Sequence, residues 1–362
     1  MNDLSVSLLA ALLATNQPQA VSNLVQERTG ISVPLAGSND PAEQELREVM
    51  IDDDAALDEV QALMSTNQIP RTDTNGIAML HAQIRDRLDE VRTRYGTFLH
   101  SHPDSARGFL AYGSFLNDIG EEEAAKSQYE NSKLLDPNNP AVWNQLANYY
   151  AEYGGLTNAF SDYTEAIRLD PTEPVYYQNL ATTVYLYRKD AREFYGLTEQ
   201  QVFDKALDLY RQAMKLAPDN LVLATDYAES YYGIKPLRTN DALTAWADCV
   251  KICKDENERQ GVMMHLARVK IAAGMFTNAQ ADLDTVTNAD FADLKKRLER
   301  SLAEHKARKP EPASAAITNA PPPAIVPVVP KPLPALAAPP KPIPASATNL
   351  EVEPPSLRPP PP

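Results

Sequence analysis

Prolines return every 34 residues through the middle of this chain. Pro103, Pro137 and Pro171 each sit in a turn-like tripeptide (His102-Pro103-Asp104, Asp136-Pro137-Asn138, Asp170-Pro171-Thr172), and Ala217-Pro218-Asp219 follows after a further 47. From Ile77 to Arg308 the apolar residues recur with the period of a helix, interrupted by short turns. Proline stops a helix because it lacks an N–H and pushes the preceding residue toward extended backbone. A fixed period of this length predicts helical hairpins stacked in a line, each burying its apolar face against its neighbours.

The residues inside the period agree. The segment 106–137 supplies Phe109, Tyr112-Gly113, Leu116, Gly120, Ala125, Tyr129, Ser132 and Pro137. The segment 140–171 supplies Trp143, Leu146-Ala147, Tyr150, Gly154, Ala159, Tyr163, Ala166 and Pro171. Small residues let two antiparallel helices approach, aromatics fill the space between successive hairpins, and glycine tolerates the positive φ of an inter-helix turn. Weaker versions of the pattern follow, with Tyr177, Leu180-Ala181, Ala206 and Tyr210, then Tyr227-Ala228, Ala242 and Trp246, then Leu266-Ala267, Gly274 and Ala279.

These positions resemble the tetratricopeptide repeat (TPR) family over roughly residues 80–308; no subfamily is identified. The resemblance implies an all-α fold, an α-solenoid of stacked antiparallel helix hairpins in a right-handed superhelix. The expected organisation is a helical N-terminal extension with loops (1–75), a half-repeat helix leading into the array (76–105), and five units at 106–139, 140–173, 174–220, 221–257 and 258–289. A capping helix (290–309) and a disordered proline-rich tail (310–362) complete it. The cap is read from the stripe Phe291, Leu294, Leu298, Leu302, because the last hairpin must cover its open face. The third unit carries an insertion at about 188–199, read equally as a protruding element or as two lengthened helices.

The tail holds most of the chain's 30 prolines, a composition that favours solvated polyproline II and cannot build a core. It reads as a spacer, with docking to a polyproline-reading domain as the alternative. At the other end, Val6–Ala14 has the length of a signal h-region. No Lys or Arg precedes it and Leu12 spoils the cleavage pattern, so an amphipathic helix packing on the array is the preferred reading. Cytoplasmic localisation is therefore expected, with export through an atypical signal as the alternative. No apolar run reaches the ~20 residues of a membrane span.

The formal net charge of −15 argues against a nucleic-acid partner, which needs a basic face. Lys295, Lys296, Arg297 and Arg300 are interleaved with acidic residues and read as a solvated helix face, as does Asp52-Asp53-Asp54. Cys249 and Cys253 stand four apart on a helical pattern, too far for a disulfide. No Gly-rich phosphate loop, nucleophile elbow or zinc-binding helix motif is present, and His100-Ser101-His102 lacks partners at ligand spacing. No enzyme, cofactor or metal site is expected.

The resemblance places the first helix of each unit along the inside of the superhelix. There the basic residues of the family's carboxylate clamp are replaced by Asn144, Val175, Asn179, Val222 and Asp226. Asn144, Asn148, Gln178 and Asn179 form an amide-rich row, and amides both donate and accept. With Thr182, Tyr185, Tyr232 and Arg268 they are the expected partner-binding groove, alongside Arg107 in the first unit. The function implied is a scaffold or adaptor holding a partner polypeptide. An export or envelope-assembly accessory factor is the alternative. The partner and the oligomeric state are not specified by the sequence.

Overall fold

A computed structural model describes residues 40–66 and 73–307. The expected N-terminal segment Val6–Ala14 and the proline-rich tail lie outside the described residues. The described residues form fourteen α-helices and no strand. They are α1 (Pro41–Thr66), α2 (Thr74–Ser101), α3 (Ala106–Asp118), α4 (Glu122–Leu135), α5 (Pro140–Tyr153), α6 (Leu156–Leu169) and α7 (Pro174–Leu186). They continue with α8 (Arg188–Tyr195), α9 (Glu199–Leu216), α10 (Leu221–Ser230), α11 (Thr239–Ile252), α12 (Glu256–Ala272), α13 (Phe276–Asp284) and α14 (Ala292–Ala307).

Local chemistry sets the boundaries. Ser105, Asn139, Glu173, Asn220 and Asp255 each accept a backbone N–H of the helix they precede, satisfying donors that have no intrahelical partner. Pro140 and Pro174 occupy first helical positions, where a missing N–H costs nothing. The 34-residue repeat is visible atom by atom. Trp143 Nε1 donates to the carbonyl of Pro137 at 2.8 Å, and Tyr177 Oη donates to that of Pro171 at 3.2 Å. An aromatic on α5 and another on α7 thus clasp the turn that ends the preceding hairpin. The small positions are tight: a Cβ on Gly113 would lie 2.5 Å from the Tyr129 ring of the paired helix.

The half-repeat helix α2 has a partner. Helix α1 packs antiparallel on it, with Leu46, Val49 and Ala56 sharing one core with Val91, Tyr95, Phe98 and Leu110. Successive contacts run in opposite directions along the two helices: Glu59–Arg87, Asp52–Arg94, Asp53–Tyr95 and Glu45–His102. Helix α1 therefore stands where the first helix of a preceding hairpin would stand. Within it, the expected solvated face at Asp52-Asp53-Asp54 is corrected: Asp53 is buried and accepts from Tyr95 Oη at 2.8 Å, while Asp52 pairs with Arg87 at 2.7 Å. The reason is helical geometry. The side that buries Val49 and Ala56 also carries position 53.

The insertion is neither of the two expected forms. It is a separate eight-residue helix, α8, ended by Gly196 at φ 65°, a left-handed value that favours glycine. Its Phe194 and Tyr195 rings lie 5.3 and 5.5 Å from Phe160 of α6, and Ala191 is fully buried. The next helix opens with a capping box between Thr198 and Gln201. At the far end, Leu302 of α14 is buried, and Phe291, Leu294 and Leu298 pack beside it on Met264, Ile271 and Leu283. Cys249 and Cys253 are both free thiols.

Candidate functional site

The first helices α3, α5, α7, α10 and α12 carry the residues expected to line a groove. The structure ties most of them to one another. Asn144 is only 4% exposed, and its Oδ1 accepts from Asn179 Nδ2 at 3.0 Å. Asn179 also reaches Asn148 Oδ1 at 3.3 Å, which accepts Tyr163 Oη of α6 at 2.7 Å. Gln178 Nε2 donates to Asp226 Oδ2 across to α10 at 2.7 Å. Thr182, which stands 34 residues after Asn148, bonds Tyr210 Oη at 2.8 Å and so repeats the Asn148–Tyr163 contact one unit on. The amide row is therefore a chain of bonds between repeats, holding α5, α7 and α10 in register.

Two expected residues are used elsewhere. Tyr185 lies over Gly233, where a Cβ would sit 2.3 Å from its hydroxyl, and Arg188 stacks 5.3 Å above its ring. Arg107 is ion-paired to Glu43 of α1, a partner drawn from the segment read as an N-terminal extension.

Tyr232 and Arg268 come together. The Arg268 guanidinium lies 4.3 Å from the centroid of the Tyr232 ring, and Tyr232 Oη bonds His265 Nδ1 at 3.2 Å. His265 in turn stacks on buried Trp246 at 4.3 Å. Burial, and then the nearby Arg268 charge, push the His265 imidazole below its usual range. Tyr232 and Arg268 border a cleft of about 480 Å³ floored by Ile234 and Val269, with Leu237 and Lys235 on the turn between α10 and α11. The turn residues of this cleft escaped the sequence reading. The signal for them is that the fourth unit runs about two residues long where Pro236 sits.

Apolar residues remain open on the same helices. Val222, at the second position of α10, is 66% exposed, and Leu186, at the end of α7, is 59% exposed. Among the described residues no group of three or more His, Cys, Asp or Glu side chains converges as metal ligands do. No described helix is long and apolar enough to cross a membrane.

Hairpins with this period, these small-residue contacts and these aromatic clasps define an α-solenoid of the tetratricopeptide type. No family model and no curated protein matches the sequence. Solved structures that it is similar to include the C-terminal part of a TPR repeat-containing protein from Cytophaga hutchinsonii, at 16% identity, covering 70% of this chain and 97% of that one with a TM-score of 0.46. PilF of Pseudomonas aeruginosa is 15% identical, with 72% and 100% covered and a TM-score of 0.44. YrrB, a TPR protein with an unusual peptide-binding site, is 13% identical, with 57% and 97% covered and a TM-score of 0.43.

Proposed function

We propose that this chain is a non-catalytic scaffold that holds a partner polypeptide along the face formed by its first helices. The observation that carries the reading is the pairing of rigidity with open apolar surface on that face. Asn144, Asn148, Gln178 and Asn179 lock three successive first helices to one another, while Val222 and Leu186 remain exposed on the same helices. A surface already fixed before binding loses little conformational entropy when a ligand arrives. Exposed apolar side chains on such a surface gain by being covered.

The amides serve this role by positioning the helices rather than by reaching the ligand. Replacing them therefore disturbs the scaffold and is a poor probe of binding. Val222→Lys and Leu186→Lys alter exposed side chains and leave the inter-repeat bonds alone. The tagged full chain, used to recover proteins from its native cells, should retain a partner that the double variant loses, with unchanged thermal unfolding. Equal recovery by the variant would overturn the proposal.

A further inference from the structure

We infer that the cleft between the α10–α11 turn and α12 receives a bulky apolar side chain flanked by acidic residues on a partner polypeptide. The inference rests on the reading of the first-helix face as a docking surface. It assigns the chemistry of one end of that surface.

The cleft floor is apolar, with Ile234 and Val269 each 1% exposed and Leu237 beside them. Its rim carries two exposed cations, Lys235 on the turn and Arg268 on α12. Among the described residues neither makes an ion pair, in a chain whose net charge is −15 and whose partly buried arginines are mostly paired. Arg268 is held by its stacking on Tyr232, a contact that leaves the edge of the guanidinium free to take a carboxylate.

The cleft is also held in shape. Gln200 Nε2 of α9 donates to the Lys235 carbonyl at 3.1 Å, and Arg238 pairs with Asp204 at 2.6 Å, which anchors both ends of the turn. Tyr232 is fixed through His265. A volume near 480 Å³ falls in the range of about 300–1,000 Å³ typical of ligand sites.

Two carboxylates of α10 lie nearby, and each has a neighbour: Asp226 is bound by Gln178 of α7, and Glu229 lies 3.9 Å from His265 of α12. Among the described residues, Lys235 and Arg268 are the charges without an ion-pair partner at the cleft, so a polypeptide seated there places its acidic residues against them.

The test uses the full chain and a phage library displaying random dodecapeptides, which offers no free C-terminus. Enriched peptides should pair Phe, Leu, Ile or Trp with Asp or Glu at adjacent positions. One enriched peptide, acetylated, amidated and fluorescently labelled, should bind about tenfold more weakly to Arg268→Glu and to Lys235→Glu, the loss expected for one charge-assisted contact. Replacing its apolar residue by Ala should have a similar effect. Both protein variants change exposed side chains, and unchanged thermal unfolding checks their folding. No enrichment, enrichment of basic or uncharged peptides, or binding to both variants as tight as to the unaltered chain would each overturn the inference. So would stronger binding of a peptide with a free C-terminus, which would identify a terminal carboxylate as the ligand. If Val222→Lys with Leu186→Lys abolishes partner recovery while Arg268→Glu with Lys235→Glu does not, the groove stands and the cleft assignment falls.

Discussion

Asn179 on α7 donates to Asn144 on α5 at 3.0 Å, joining residues 35 apart in the chain that occupy equivalent faces of successive repeats. The bond is nearly dry, and Asn144 has little access to water that could replace it. Asn179→Ala should therefore destabilise the array by about 1–3 kcal/mol, the cost of leaving a buried acceptor unsatisfied. Asn148→Ala should cost less, because that residue is partly exposed. Urea unfolding followed by circular dichroism compares the two, and equal small losses would show that water reaches Asn144.

The Asp53 carboxyl is pushed up from 3.8 to about 8 by burial, with the neighbouring Asp54 and Asp118 charges adding to this and the Tyr95 hydrogen bond opposing it. The native state thus keeps a proton that the unfolded chain has released. This contribution to stability is fully present below about pH 4 and is lost as the pH rises toward 8. Asp53→Asn should stabilise the first hairpin at pH 8 by on the order of a few kcal/mol and flatten the decline. Melting temperatures from pH 5 to 9 read this directly; a parallel decline in the variant would refute it.

Two glycines inside helices should respond with opposite sign. Gly113→Ala drives a methyl to 2.5 Å from the Tyr129 ring and should cost about 1–3 kcal/mol. Gly96 on α2 has no neighbour within 4 Å of an added Cβ, so Gly96→Ala should stabilise by about 0.5–1 kcal/mol through reduced backbone entropy of the unfolded chain. Thermal unfolding of both variants checks the pair.

Phe194 and Tyr195 meet edge to face at 4.7 Å and cover Phe160. Phe194→Ala should cost about 2 kcal/mol and release α8 from α6. Amide hydrogen exchange should rise across residues 188–195 and remain slow in α9, whose start is held by its own capping box. Faster exchange throughout α9 would mean that α8 and α9 open as one unit.

The array was legible in the sequence because its determinants act over a few residues. Pro137 and Pro171 stop the helices that precede them, Ser105 and Asn139 cap those that follow, and Gly113 and Ala147 sit where helices approach. The same is true of the stripe from Phe291 to Leu302, which runs from the turn before the terminal helix into that helix. What a polar side chain does within the array is a different matter. The resemblance to the repeat family implied that Asn144 faces inward, but not that Asn179 would cover it. Nor did it say that Glu43, 64 residues away, would take Arg107.

By itself, then, the sequence determined the hairpins, their period and their order, since helix propensity, capping and turn chemistry are local. Only the tertiary structure decided which expected groove residues are spent on holding repeats together, which acid of Asp52-Asp53-Asp54 is buried, and where the insertion docks. Each of these depends on a contact between residues tens of positions apart, where the outcome turns on burial and on which partner is within hydrogen-bonding reach. The meeting of Tyr232, Lys235 and Arg268 around one cleft is of that kind, because a slightly lengthened turn and the next first helix had to be brought side by side before a site existed.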